Sequence, residues 1–171
     1  MKRLLVSAAV LGLFASSAAF GAGPTASVNT GADATVVAPI SISNVVNGTA
    51  TKLSFGQIAA NTSAGHVNIS SAGALSSPDV PTLIAPGSTG SVPTFTVTGS
   101  AGLAYTGTVA ATVSLSGPGT AMVATLTKSG GGVSLSGTGS DTFTLSASLA
   151  VGASQAPGLY SGTFATTAAY N

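Results

Sequence analysis

The chain has 171 residues, of which 4 are Lys or Arg, 3 are Asp or Glu and none is Cys or Trp. So few charges argue against a nucleic-acid partner, because phosphate neutralisation needs clustered Lys and Arg. The absence of cysteine excludes a disulfide framework and a lipobox lipid anchor.

The first stretch reads as a secretory signal peptide over residues 1–21. Lys2 and Arg3 form a positive start, Leu4 to Phe14 an apolar run, and Ala15, Ser16, Ser17, Ala18 and Ala19 a small-residue region, with cleavage after Ala19 or Gly21. A spanning helix needs about 20 apolar residues, and polar residues break this run at Ser16. The chain is therefore expected to cross the inner membrane to the periplasm, cell surface or exterior, with no membrane embedding of the mature part. Residues 22–35 read as an extended N-terminal segment and 36–171 as one domain of ordinary size. Beyond the signal sequence only Lys52, Lys128, Asp33, Asp79 and Asp141 carry charge. So low a net charge favours association.

The mature chain reads as strands and turns. Val28 to Ile42 carries apolar residues at even positions, interrupted by Pro39, which cannot donate to a ladder. Thr51 to Ile58 predicts a strand with Leu53 and Phe55 inward and Lys52 and Ser54 outward. His66 to Ile69 is a short strand, and Ser71 to Ser91 is mainly loop, with an apolar piece near Leu83-Ile84. Pro93 to Thr98 places Phe95 and Val97 on one face. Ala104 to Ser116 gives the longest alternation, from Tyr105 to Leu115. Further strands are predicted at Ala121 to Lys128, around Val133 and Leu135, and over Asp141 to Val151. The last runs from Tyr160 to Tyr170, with Tyr160, Phe164 and Tyr170 on one face and hydroxyls mostly on the other. Gly-rich turns between such strands predict an all-β, antiparallel, immunoglobulin-like sandwich.

No constellation for catalysis stands out. His66 is alone, without cysteine to complete a metal site and without a Ser singled out as its nucleophile. Asp33, Asp79 and Asp141 are scattered, and the last two read as loop or turn carboxylates. Ser129 to Gly132 lacks the Lys-Ser/Thr of a phosphate loop and reads as a hairpin turn. Asn47, Asn61 and Asn68 begin glycosylation-type triplets of the kind a Ser/Thr-rich chain yields by chance. The expectation is no cofactor, no metal and no enzymatic activity.

The blocks Leu53-Ser-Phe-Gly-Gln-Ile58, Phe95-Thr-Val-Thr-Gly99 with Ala104-Tyr105, and Ala147 through Pro157-Gly-Leu-Tyr160 to Phe164, with the closing Tyr170-Asn171, resemble a bacterial secreted family known as domain of unknown function 4402. The resemblance covers essentially the whole mature chain and implies location and fold more than activity. Members of that family resemble the pilin-like sandwich subunits of fimbriae, and Tyr170 is penultimate, as a tyrosine is in many chaperone–usher pilins. The chain departs from those pilins in lacking their cysteine pair. With no Glu at all, it also lacks a type IV pilin leader.

These observations lead to an expected structural role as a fimbrial or pilus-like surface subunit that polymerises by strand addition, in which an extended segment pairs with a neighbour's open sheet edge. Thr25 to Ile42 would donate, with Val28, Ala32, Ala34 and Val36 as its apolar positions. Tyr160 to Tyr170 would line the groove, with Tyr160, Phe164 and Tyr170 as candidate contacts. The segment Val36 to Ile42 can equally be the first strand of its own domain. Expected partners are further copies or related subunits and a periplasmic chaperone. The alternative is a monomeric secreted binding module, for example for a surface polysaccharide.

Overall fold

The computed structural model describes residues 23, 25–46 and 49–171; the expected signal sequence lies outside them. The chain divides into two units, residues 1–35 and 36–171. Within the first, residues 25–35 are exposed and form neither strand nor helix. Val28 is 86% exposed. Their alternation is made mostly of Ala, Ser, Thr and Gly, which bury little surface when they order, so nothing offsets the entropy cost of a fixed strand.

The second unit is all-β. Its strands are β1 (Ser41–Ser43), β2 (Val45–Val46), β3 (Thr49–Ala50), β4 (Gly65–Ile69), β5 (Leu75–Ser76), β6 (Phe95–Thr98), β7 (Tyr105–Val109), β8 (Thr112–Leu115), β9 (Met122–Ser129), β10 (Ser140–Val151) and β11 (Thr166–Tyr170). Among the described residues the only helical element is a short 3-10 turn, Pro81–Leu83. Every strand pair is antiparallel.

β10 organises the sandwich. Its first residues, Ser140 to Phe143, pair with β6, which carries β1 on its far side. Its later residues pair with β9 on one edge and β4 on the other, and these extend to β8 and β5. Alternation along β10 buries Phe143, Leu145, Ala147, Leu149 and Val151. Their core partners include Val67, Ile69, Val97, Ala124 and Tyr105. Phe95 stacks on Phe143 with ring centroids 5.1 Å apart. β11 pairs with β7, from Thr166 opposite Val109 to Tyr170 opposite Tyr105. The antiparallel sandwich read from the sequence is thus the architecture observed.

Several elements differ from the sequence reading. The run Val28 to Ile42 is a strand only at Ser41–Ser43. Val36 is 95% exposed, and Pro39 interrupts the donors just before β1. The long Ala104 to Ser116 run divides at Ala110-Ala111, where the chain changes partners: Ala110 N donates to Ala165 O, and Ala111 O accepts from Leu126 N. The segment around Val133 and Leu135 forms no ladder, only a bridge between Ser134 and Ala104. It follows Gly130, Gly131 and Gly132, all at positive φ (73, 50 and 83°), which send the chain away from β9. Ser129–Gly132 is therefore the start of a long connection and not a tight hairpin turn. Thr51 to Ile58 makes only isolated bridges, Ser54 to Ser91 and Ile58 to Ile84, and Gly56 at a φ of 67° turns the chain between them. Tyr160 to Tyr170 keeps its alternation, yet only Thr166–Tyr170 is a ladder strand.

Candidate functional site

The extended but unladdered segments flank an open groove of about 1030 Å³. One wall is Thr51 to Ala60, continued by Ile42 to Asn44 at the end of β1. The other runs from Gln155 to Phe164 and on to Thr166. The floor is core: Phe95, Val113, Leu115, Met122, Leu149 and Val151. Most of these floor residues are themselves buried.

The walls have unused main-chain edges. Ser54 N and O both bond to Ser91, Gln57 O accepts from Ala85 N and Ala59 N donates to Leu83 O, so that edge of the first wall is occupied, and Thr51 N on the other edge donates to Asn44 O. The main-chain groups of Leu53 and Phe55 alternate to the opposite edge and make no main-chain hydrogen bond among the described residues. On the second wall Ser161 N and O both bond to Ser116, and Ala165 O accepts from Ala110 N. Gly162 and Phe164 between them have no main-chain partner among the described residues. Close packing holds this wall onto β8, since a Cβ on Gly162 would collide with Ser114 O.

A single hydroxyl fixes the rim. Tyr160 OH accepts from Gly119 N at 3.0 Å and Gln155 Nε2 at 2.8 Å, and donates to Ala156 O at 2.9 Å. Gln155 Nε2 also donates to Thr120 O at 2.6 Å. Thr166, on the same wall, has its hydroxyl oxygen buried without a hydrogen-bond partner.

With this geometry in view, one family comparison is informative. Residues 40–170 match the model of the family described as Domain of unknown function (DUF4402). The chain belongs to the DUF4402 family. No curated protein and no solved structure matches it. In this DUF4402 domain the match begins just ahead of β1, so residues 25–35 lie outside it.

Of the residues singled out in the sequence, Tyr160 and Phe164 meet on the groove wall. Tyr170 lies outside the groove, where its hydroxyl accepts from Ser100 N and donates to Ala38 O. Val28, Ala32 and Ala34 belong to the exposed N-terminal unit, and Val36 is exposed at the start of the second. The wall Thr51 to Ala60 was legible only as a strand; the sequence held no sign that one of its edges stays unpaired.

The titratable groups fall into two sets. His66 Nδ1 and Asp79 Oδ2 lie 2.6 Å apart, with both side chains about half exposed (53% and 50%). Tyr105 OH, in the core, donates to Asp141 Oδ2 at 2.7 Å, and Gly132 N lies 2.9 Å from both oxygens. Asp141 therefore closes a core network and is not simply a turn carboxylate. Burial, together with the hydrogen bond to Asp141, pushes the Tyr105 phenol up to about 12. The Tyr105 hydroxyl, followed by the Gly132 and Thr142 amides, holds the Asp141 carboxyl below its usual range against the opposing effect of burial. Lys128 Nζ donates to Gly131 O at 3.0 Å and lies 5.4 Å from the Phe143 ring centroid. Among the described residues no three His, Cys, Asp or Glu side chains come together as a metal site.

A second feature lies on the outer face. Strand register places Thr112, Thr125, Ser148, Asn68 and Ser76 side by side across β8, β9, β10, β4 and β5. Ser148 Oγ donates to Asn68 Oδ1 at 2.6 Å.

Proposed function

We propose that this DUF4402 protein is a secreted structural subunit, fimbrial or pilus-like, that polymerises when an extended segment of one copy enters the groove of the next. The signal-type sequence of residues 1–21 would export it. The observation that carries the reading is the pair of unpaired main-chain edges, Leu53 and Phe55 on one wall and Gly162 and Phe164 on the other, above an apolar floor. A small molecule would suit the volume, since ligand pockets run to about 1,000 Å³. It would have no use for two rows of main-chain donors and acceptors. An added strand uses both rows and covers the floor with alternate side chains. It also removes the aggregation hazard of open edges. A periplasmic chaperone would cover the same groove before assembly.

The segment available to donate is narrower than Thr25 to Ile42. Ser41–Ser43 pairs with β6 of its own domain, and Ile40 and Ile42 pack against its own core. That leaves residues 25–35. Size-exclusion chromatography with light scattering should be run on a chain beginning at Ala22 and one beginning at Val36. The reading expects polymers from the longer and monomers from the shorter, with a 25–35 peptide binding the shorter. Stable monomers from both would overturn it.

The row from Thr112 to Ser76 favours a second reading, a monomeric module that binds a neutral surface polysaccharide through hydroxyl and amide groups. Retention on a polysaccharide column, lost in Thr125→Val with Ser148→Ala, would support it.

A further inference from the structure

β11 has a second edge, and it is free along its length. Ala165 O accepts from Ala110 N, and Asn171 N donates to Ala104 O, in a ladder that sets Thr166 opposite Val109 and Tyr170 opposite Tyr105. The odd-numbered residues of this stretch are therefore its hydrogen-bonded pairs with β7, and the main-chain groups of Thr166, Ala168 and Tyr170 point the other way. Tyr105 N agrees with that parity, since it donates away from β11, to Val133 O. With Gly162 and Phe164 these residues make one row without a main-chain partner among the described residues. No residue from Gly162 to Tyr170 has a positive φ, so the row is unbroken. The first wall differs: Gly56 turns it, and Gln57 and Ala59 are bonded to Ala85 and Leu83.

We infer that residues 25–35 of one copy add to the free edge of β11 in the next, along Gly162 to Ala168 and antiparallel to it. This rests on the strand-addition reading and adds the receiving edge and the direction. Seven residues of edge need seven of strand, and residues 25–35 supply eleven that are exposed and outside any ladder. On the groove side Phe164 packs against the core, and Thr166 has its hydroxyl oxygen buried without a partner among the described residues. The entering segment carries Ser27, Asn29, Thr30 and Thr35, side chains able to bond a hydroxyl across a strand pair.

Direction follows from where the domain's own chain begins. Ala38 O accepts from Tyr170 OH, so each domain starts at the Tyr170 end of its β11. An antiparallel strand has Thr35 at the Gly162 end of the receiving edge, and the donor's domain then follows beyond that end. Each copy so receives at one end and donates from the other, a head-to-tail contact that repeats without closing. A parallel strand would bring the donor's domain to the Tyr170 end, where the receiving copy's own segment also joins. Two copies would then exchange segments and close as a dimer, with no polymer.

The test uses the chain beginning at Ala22, which has no cysteine of its own. Thr163 and Ala169 are exposed near the two ends of the edge, about 20 Å apart along the strand, too far for one short bismaleimide to serve both. Ser27→Cys with Ala169→Cys should cross-link into ladders on denaturing gels, as should Thr35→Cys with Thr163→Cys, and Ser27→Cys with Thr163→Cys should not. Ala168→Pro removes a main-chain donor from the free edge and none from the ladder to β7. It should keep the parent's circular dichroism spectrum and slow polymer growth about tenfold. Cross-linking in the reverse pattern, or closed dimers by light scattering, would overturn the direction. Polymers with none of these cross-links, or unchanged growth of Ala168→Pro, would overturn the edge. Either result leaves strand addition standing, whereas failure of the unsubstituted chain to polymerise would overturn both.

Discussion

The hydroxyl of Tyr170 donates to the carbonyl of Ala38 at 2.9 Å, joining the penultimate residue to the chain just before β1. The same oxygen accepts from Ser100 N at 2.7 Å. The ring fills space that Gly99 leaves open, since a Cβ there would collide with the hydroxyl. Tyr170 thus closes one end of the domain, away from the groove. Tyr170→Phe removes both bonds and leaves Ser100 N without that partner, so it should lower stability by about 1–3 kcal/mol in urea titration. Polymer formation at low temperature should survive the change. Gly99→Ala should destabilise at least as much, by displacing the ring.

Tyr105 and Asp141 give the fold an acid and an alkaline limit. The Asp141 carboxyl is held below its usual range, so its contribution is present at neutral pH and is lost as pH falls through the lowered value. The Tyr105 phenol is raised from 10.0 to about 12. Its contribution is complete below about pH 10 and is lost as pH climbs toward 12. Thermal midpoints measured against pH should fall at both ends. Asp141→Asn should flatten the acid limb and Tyr105→Phe the alkaline one. Each should be less stable at pH 7 by about 1–3 kcal/mol, because it breaks a core hydrogen bond to a charged group.

Tyr160 sets the shape of the rim through one oxygen bonded to Gly119, Gln155 and Ala156. Tyr160→Phe keeps the ring on the wall and drops all three bonds. Amide exchange at Gly119 should quicken by about tenfold, the equivalent of about 1.4 kcal/mol, and exchange in the β10 core should change far less. An equal change in both regions would mean that the hydroxyl supports the whole fold and not the rim.

Local pattern carried most of the architecture, because a period of two is a property of each strand alone. β4, β6, β9 and β10 stand within a residue or two of where alternation puts them, and His66 and Asp79 meet only because a loop returns Asp79 to β4. What the pattern could not carry was pairing. Ala104 to Ser116 looks continuous although its two halves serve different partners. Thr51 to Ile58 looks like a ladder strand although Leu53 and Phe55 use none of their main-chain groups among the described residues. The groove exists because of such unused edges, and an absent partner leaves no mark on periodicity. Asp79, Lys128 and Asp141 were visible as charges; that each finds a partner within the domain became apparent only in the structure.

Phe164 separates folding from assembly. It is half-buried on the groove wall, beside main-chain groups with no partner among the described residues. Phe164→Asp places a carboxylate at the edge of an apolar floor that already faces solvent, so the isolated domain should lose no more than about 2 kcal/mol. An entering strand would bury that carboxylate unpaired, at a cost of several kcal/mol. The variant should therefore be exported and folded, with a circular dichroism spectrum like the parent's, and should remain monomeric where the parent polymerises. Leu149→Ala provides the contrast. Leu149 is fully buried, and its truncation should cost about 2–5 kcal/mol through the cavity it leaves, reducing folded yield and polymer together. If Phe164→Asp instead behaved like Leu149→Ala, losing fold and assembly in step, Phe164 would be a core residue and the wall would extend no further than Tyr160.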